Sequence, residues 1–432
     1  MSKVLIAAAP LAGHAGPMLI VAEYLRQQGH DVLFSSSDFF REKAEARDLR
    51  FLPLMGNANY DYRQLGELIP GLRTFTSPID LSNSYVKHML GDRIPDQYRG
   101  LRKVIDEENV DLVMTDVGFW GIFPLLLRNE PRPPVLSCGT TAPMWHDPAF
   151  SILTGPDETP EGLKRNLEDS RKWKEGRAPA DIYVNEVLQE LGAPVPGGFD
   201  LTDTMYGLPD LFLQLGSKEF EFPMRNRRPN LRFVGPILPQ QKGLTEASLQ
   251  LDDSKPVVFV TQGTLANFDF DQLVNPALSG LAGEDLQVVV TAGGGPVEAI
   301  VAAKNSIVEP YVPYEQILPK TSVFVTNGGY NGVQQALSYG VPIISAGASE
   351  DKPQVCARVS WSGAGIDLKT GAPTAEQIRQ AVVQILSDPS YRNRAKVLGA
   401  AIAKTNALKT IAEIVARTIS ENAAQETGIR GR

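Results

Sequence analysis

Short runs of aliphatic and β-branched residues recur along the chain. Each is followed by a turn bearing glycine or proline and then by a stretch with helical spacing. Val4 to Ala9 reads as a buried strand. Pro10 to Gly16 reads as a loop, and Pro17 stands where a helix can begin. That helix runs to about Gln28 and stops at Gly29. Asp31 to Ser35 is the second strand, and Phe51 to Leu54 looks like a third. Strand, glycine-bearing loop, helix and strand make a βαβ unit, and its right-handed crossover makes the strands parallel.

Between Gly56 and Pro95 the pattern weakens. Aromatic residues mix there with Gly and Pro, as in insertions that line ligand sites. Order returns with a helix from Asp96 to Glu108, a strand from Asp111 to Thr115 ending at Asp116, a helical stretch from Gly118 to Arg128 and a strand from Val135 to Ser137. Residues 145–210 read as irregular, with charged helical turns around Lys164 to Lys174. Leu213 to Gly216 is a short strand and Phe233 to Pro236 an edge strand.

Alternation then restarts after a Pro- and Gly-bearing linker. Strands fall at Val257 to Thr261, Leu286 to Thr291, Ser306 to Val308, Val323 to Val325 and Val341 to Ser345, with helices at Asp271 to Leu281 and Tyr330 to Tyr339. Helices from Ala375 to Leu386 and from Asn393 to Ile419 finish the pattern. The expected organisation is α/β: two Rossmann-like, doubly wound parallel-sheet domains facing across a cleft. Residues 1–235 form the first, 236–255 the linker and 256–432 the second, with the last helix free to pack back on the first domain.

At 432 residues the chain exceeds one ordinary core, which fits two domains. A net charge of −8 argues against a nucleic-acid surface. Cys138 and Cys356 lack metal-ligand spacing and read as buried thiols in a reducing, cytoplasmic setting. No apolar run reaches membrane-spanning length. The apolar N-terminal run is short and ended by Pro10, so it reads as a strand rather than a secretion signal.

Two features carry chemistry. Val323 to Pro353 reads as strand, glycine turn (Gly328, Gly329), helix, strand and loop. Such a turn aims backbone N–H groups outward at a positive helix end, a site suited to phosphate. His14 follows the first strand, and Asp116 ends the Asp111 to Thr115 strand. On one rim, the carboxylate would fix the imidazole tautomer and raise its basicity toward a substrate hydroxyl. Helix capping is the alternative role for each. His30 reads as structural, and His88 and His146 as substrate- or solvent-facing.

With Gly13 to Val32 (GHAGPMLIVAEYLRQQGHDV), the Val323 to Pro353 stretch resembles the GT-B nucleotide-sugar-dependent glycosyltransferases. The nearest group is the inverting UDP-glycosyltransferases of natural products and sterols. The resemblance spans nearly the whole chain. It implies His14 as general base and Asp116 as its orienter. It places Tyr311 on the nucleobase and the Val312 backbone on the base edge. Gly13, Gly263 and Thr264 fall on the donor side, as do Gly329, Asn331 and Gly332.

Several letters depart from the family pattern. Asn327 stands where a phosphate-binding His is usual, so an amide replaces a group able to become cationic. Gln335 falls on the ribose-binding Glu. Asp351 and Lys352 fall on the sugar-reading Asp-Gln pair. Lys352 reads either as a phosphate or sugar contact or as an ion pair with Glu350 or Asp351. Phe75, Tyr85, Met89, Phe119, Trp120, Met144 and Trp145 are candidates for an apolar acceptor wall.

The implied activity is transfer of a hexose, glucose first, from a nucleotide sugar to a hydroxyl of a phenolic, polyketide or sterol-like acceptor. UDP-glucose is the expected co-substrate, with a dTDP-sugar as the other option. No metal and no other cofactor is expected. The only partners expected are small molecules, for a monomer or homodimer. Two other readings stay open here: a GT-B nucleotide-sugar epimerase, and a non-catalytic nucleotide-sugar-binding subunit.

Overall fold

The computed structural model describes residues 2–71, 75, 77–151, 154–196, 200–239, 249–264, 267 and 269–430. Seven strands form the first sheet: β1 (Lys3–Ala7), β2 (Asp31–Ser36), β3 (Arg50–Pro53), β4 (Leu112–Asp116), β5 (Val135–Gly139), β6 (Leu211–Gln214) and β7 (Leu231–Phe233). Their order is β3-β2-β1-β4-β5-β6-β7, and all pairings are parallel. The chain winds outward from β1 in one direction and then returns to its other side at β4. That reversal opens a crevice at the carboxyl ends of β1 and β4.

The second sheet repeats the plan with six strands: β8 (Val257–Thr261), β9 (Gln287–Thr291), β10 (Ser306–Glu309), β11 (Val323–Thr326), β12 (Ile343–Ser345) and β13 (Gly365–Asp367). Their order is β10-β9-β8-β11-β12-β13, again all parallel, with the reversal between β8 and β11. β-Branched residues at both faces of β8 and β11 are fully buried, as a sheet covered by helices on both sides requires.

Several sequence expectations change, and the single helix expected from Asn393 to Ile419 is two, Pro389–Ile402 and Ala407–Arg430. The first helix, α1, spans Ala12–Gln27, so Pro17 lies inside it and His14 sits in its first turn rather than in a loop. A helix spans Pro160–Glu190 where irregular chain with helical turns was expected. Its signals are present in the sequence: Thr159 caps it by accepting from Gly162 N, Pro160 starts it, and Ala180, Val184, Val187 and Leu188 recur on one buried face. Pro179 lies inside the helix. A helix and a strand also follow the Val323 to Pro353 stretch, at Lys352–Trp361 and at β13.

The final helix, Ala407–Arg430, places Ile411, Ile414 and Val415 in the same apolar cluster as Val4, Met18 and Leu25 of the first domain. The two cysteines are free and buried.

Candidate active site at the domain cleft

The register Ala7↔Thr115 in the β1–β4 pair brings Asp116 level with the residues just after β1. There Asp116 is 1% exposed, yet it is fully satisfied. One carboxylate oxygen accepts from Ala9 N at 2.6 Å, and the other accepts from Gly118 N at 2.7 Å. That second oxygen also holds Nδ1 of His14. A Cβ on Gly118 would lie 2.9 Å from His14 Nδ1, so only glycine lets the imidazole dock there. Thr140 Oγ1 stands 3.2 Å from the same nitrogen.

With Nδ1 committed to Asp116, Nε2 is the nitrogen left for a substrate. The His14 side chain keeps 16% exposure, enough to meet one. Burial disfavours its charged form, but the Asp116 charge and hydrogen bond, with Asp351 and Glu350 across the cleft, outweigh it. The imidazole is held above its ordinary value.

Across the cleft, the helix Tyr330–Ser338 begins at Gly329, which offers no side-chain cap. Its first N–H groups therefore have no acceptor within the helix. Gly328 adopts φ 86°, the left-handed turn only glycine takes readily. Gly263 turns likewise, at φ 73°, with its N–H on Thr261 Oγ1 at 3.1 Å, and Thr264 beside it is exposed. Gly332 packs near the Tyr314 ring.

A cavity of about 400 Å³ separates the domains. Phe75, Ser77 and Leu81 line it from the first domain, and Gln262, Asn327 and Ser349 are among those lining it from the second. Gln262 carried no signal in the sequence. Its Oε1 accepts from Leu273 N and Val274 N, and its carbonyl accepts from Asn327 Nδ2 at 2.5 Å. Asn327 is thus fixed by its amide at the cavity floor.

Other predicted donor residues are distributed as follows. Tyr311 is 68% exposed, an open ring face on the surface. The Val312 N–H donates to Thr291 Oγ1 at 3.0 Å, so that donor is already engaged. Gln335 is half-buried on the Tyr330–Ser338 helix. Asn331 donates across the cleft to Gly13 O at 3.0 Å. That carbonyl is available because Pro17, four residues on, has no N–H to bond it. Asp351 accepts from Ala142 N at 3.0 Å, another link between domains. Burial raises its carboxyl, against the lowering effect of that hydrogen bond. Of the two roles read for Lys352, the structure displays the ion pair: its Nζ is paired with Glu350 in a buried setting.

The candidate acceptor wall divides by burial. Phe119, Trp120 and Trp145 are core side chains; Trp145 is fully enclosed and meets Tyr206 edge-on at 5.1 Å. Met89 is also core, in the cluster with Met18 and Tyr60. Their size and apolarity suited a wall, but the same traits fill a core, and spacing alone does not separate the two. Phe75, Tyr85 and Met144 remain half-buried. Burial and then the charges of Glu350, Asp351 and Asp116 keep the Tyr85 phenol protonated well above its usual range.

Among the described residues, one His/Asp/Asp cluster approaches metal-site dimensions: His146, Asp200 and Asp203. Lys174 Nζ already lies 3.0 Å from Asp200 and 3.6 Å from Asp203, and Arg228 lies 3.7 Å from Asp203. Two cations neutralise the two acids, and a metal ion would have to displace them. Among the described residues no helix is long and apolar enough to cross a membrane.

Comparison with known proteins agrees with this geometry. The family model described as UDP-glucoronosyl and UDP-glucosyl transferase matches residues 200–412. "UDP-glycosyltransferase 2" of Phaeomoniella chlamydospora is 32% identical over 95% of this chain and 94% of its own. "UDP-glucosyltransferase B1" of Starmerella bombicola is 32% identical over 96% of this chain and 98% of its own. The crystal structure of the glycotransferase of kitacinnamycin superposes with a TM-score of 0.73 at 19% identity, covering 97% of this chain and 99% of that one. The paired parallel sheets, the cleft between them and these relatives place the chain in the UDP-glycosyltransferase family, as a UDP-sugar-dependent hexosyltransferase of GT-B fold.

Proposed function

We propose that the protein is an inverting glucosyltransferase that moves glucose from UDP-glucose to a hydroxyl of a hydrophobic small molecule. The observation that carries this reading is the apposition of the His14–Asp116 pair and the uncapped start of the Tyr330–Ser338 helix. His14 Nε2 takes the acceptor O–H proton as the oxygen attacks the anomeric carbon. The bond from that carbon to the β-phosphate oxygen breaks on the opposite face, and UDP leaves. An imidazole, even with its raised value, is a far weaker base than an alkoxide, so proton transfer accompanies attack. Charge developing on the diphosphate falls on backbone N–H groups at the glycine turns and on the helix dipole.

The apolar edge supplied by Phe75 and Leu81 favours a phenolic, polyketide or sterol-like acceptor. The relative named as a glucosyltransferase supports glucose as the sugar. The chain is read as a cytoplasmic enzyme needing no metal. Incubation with UDP-glucose or dTDP-glucose and a phenolic panel tests the proposal. The expected product is a β-glucoside from UDP-glucose. Isomerised donor would instead identify an epimerase, and binding without turnover a non-catalytic subunit.

A further inference from the structure

The chain from Gly139, the last residue of β5, to Met144 runs along the domain cleft, and all six of its residues are held. Gln214 Nε2 donates to the carbonyls of Gly139 and Thr141, at 3.1 and 2.9 Å. Thr140 meets His14, and Ala142 N donates to Asp351. Pro143 O accepts from Arg358 Nη2 at 3.0 Å, and Met144 N donates to Tyr206 Oη at 3.0 Å. This one loop therefore touches both the base and the acid facing it.

Arg358 is fully buried, seven residues beyond Asp351 on the same helix face. Its Nε donates to Glu221 Oε2 at 2.7 Å, and its guanidinium lies 4.2 Å from the centre of the Phe222 ring. Glu221, between β6 and β7, is likewise buried. Its other oxygen accepts from Tyr330 Oη at 2.7 Å. A Cβ on Gly216 would lie 1.9 Å from that hydroxyl, so a glycine at 216 is what admits Tyr330 to this carboxylate. One carboxylate thus holds two second-domain helices: the one that starts at the phosphate turn and the one that follows Asp351.

Buried ion pairs add little net stability, because desolvation cancels most of the attraction. What such a pair does well is fix geometry. We infer that Glu221 and Arg358 are positioning residues for glucosyl transfer: they set the register of the donor-side helices against the loop that carries Thr140 and Ala142. His14, Asp351 and the phosphate turn then reach one reacting centre together. The inference rests on the proposed role of His14, and misplacement of about 1 Å is enough to slow such a reaction about a hundredfold.

The test is the double variant Glu221→Gln with Arg358→Met, which leaves no lone buried charge and nearly keeps volume. The expected result is a loss of ten- to a hundredfold in kcat, with UDP affinity by calorimetry within about threefold of wild type. An activity-independent readout goes with it. NMR titration of the four histidines, with His14→Ala for assignment, follows the His14 imidazole. Its value is set by burial in the cleft, by Asp116 and, across the cleft, by Asp351 and Glu350, so loss of register shifts it. An unmoved His14 titration, or a wild-type kcat in the folded double variant, overturns the inference. Where the double variant does not fold, Arg358→Lys keeps the charge beside Glu221 but removes the second arm to Pro143. It should lose severalfold in kcat and shift the His14 value. An unchanged kcat and titration in that variant would overturn the inference just as firmly. Should His14→Ala retain full transfer, the functional reading fails, but the titration still decides whether the pair sets the interdomain register.

Discussion

The two domains build their halves of the site from different materials. The first uses side chains: an imidazole and a carboxylate, brought together because β1 and β4 are neighbours. The second uses backbone: turns at Gly263 and Gly328 and the open start of a helix. Deleting one functional group disables a site made of side chains. A site made of backbone survives most single substitutions and yields only where an added Cβ collides. On Gly328 a Cβ would stand 2.8 Å from Cys356 Sγ, in a conformation L residues resist.

The largest effect should therefore come from the first domain. His14→Ala should lower kcat about a hundred- to ten-thousandfold while leaving UDP affinity nearly unchanged. Steady-state kinetics paired with calorimetry measures both. Equal loss of binding and rate would mean that the imidazole holds the donor instead. Asp116→Asn sharpens the point through pH. A general base at His14 works only when neutral, so on the proposed mechanism activity should fall as pH drops through the His14 value. In the wild type that acid limb lies above the ordinary imidazole value of about 6.5, because the Asp116 charge and hydrogen bond, with the charges of Asp351 and Glu350, together outweigh burial. Removing the charge leaves burial in command, and the limb should move to lower pH while the plateau rate drops. A limb that does not move would assign the pH dependence to another group.

Tyr311→Ala probes the other half and should act more mildly. The ring is 68% exposed and carries little of the core, so melting temperature should hardly change. If the nucleobase stacks there, its loss weakens UDP binding by about 1–3 kcal/mol, taking stacking on single nucleotides as the guide. Tyr311→Phe should restore it. Calorimetry that shows no change in the alanine variant would remove Tyr311 from the base site.

How much of this was legible in the sequence follows from the same contrast. The His14–Asp116 pair could be foreseen because parallel βαβ winding makes strand neighbours predictable, even though the helix around His14 starts earlier than its proline suggested. The glycine turns were legible because positive φ demands glycine. The Glu221–Arg358 pair was not, since 137 residues separate its members and no local period marks either one. The long helix at Pro160–Glu190 is less legible because Pro179 interrupts it and its charged residues dilute the apolar period of its buried face. The acceptor wall was overdrawn because a large aromatic residue signals burial without saying whether a ligand or another side chain covers it.

The smallest predicted effect lies where the two materials meet. Pro17 is an anomaly by helix rules, removing one i to i−4 hydrogen bond inside α1. The carbonyl it releases, at Gly13, accepts from Asn331 of the second domain at 3.0 Å. A helix-weakening residue thus gives a first-domain backbone group to the Tyr330–Ser338 helix, one residue from His14. Pro17→Ala should restore the helical N–H and raise the melting temperature by a few degrees, since an interior proline costs an α-helix up to about 3 kcal/mol. The carbonyl has two lone pairs, so Asn331 need not be expelled, only crowded and tilted. Turnover should then fall by no more than about threefold, consistent with a neutral hydrogen bond of about 1 kcal/mol that is weakened rather than lost. Asn331→Ala in the same assay sets the scale for complete loss. If Pro17→Ala slows turnover as much as Asn331→Ala does, the two donors exclude each other at that carbonyl, and Pro17 is there to keep the cleft's bond open. If it is more stable and just as fast, the bond is incidental, and the domains are held in register without it.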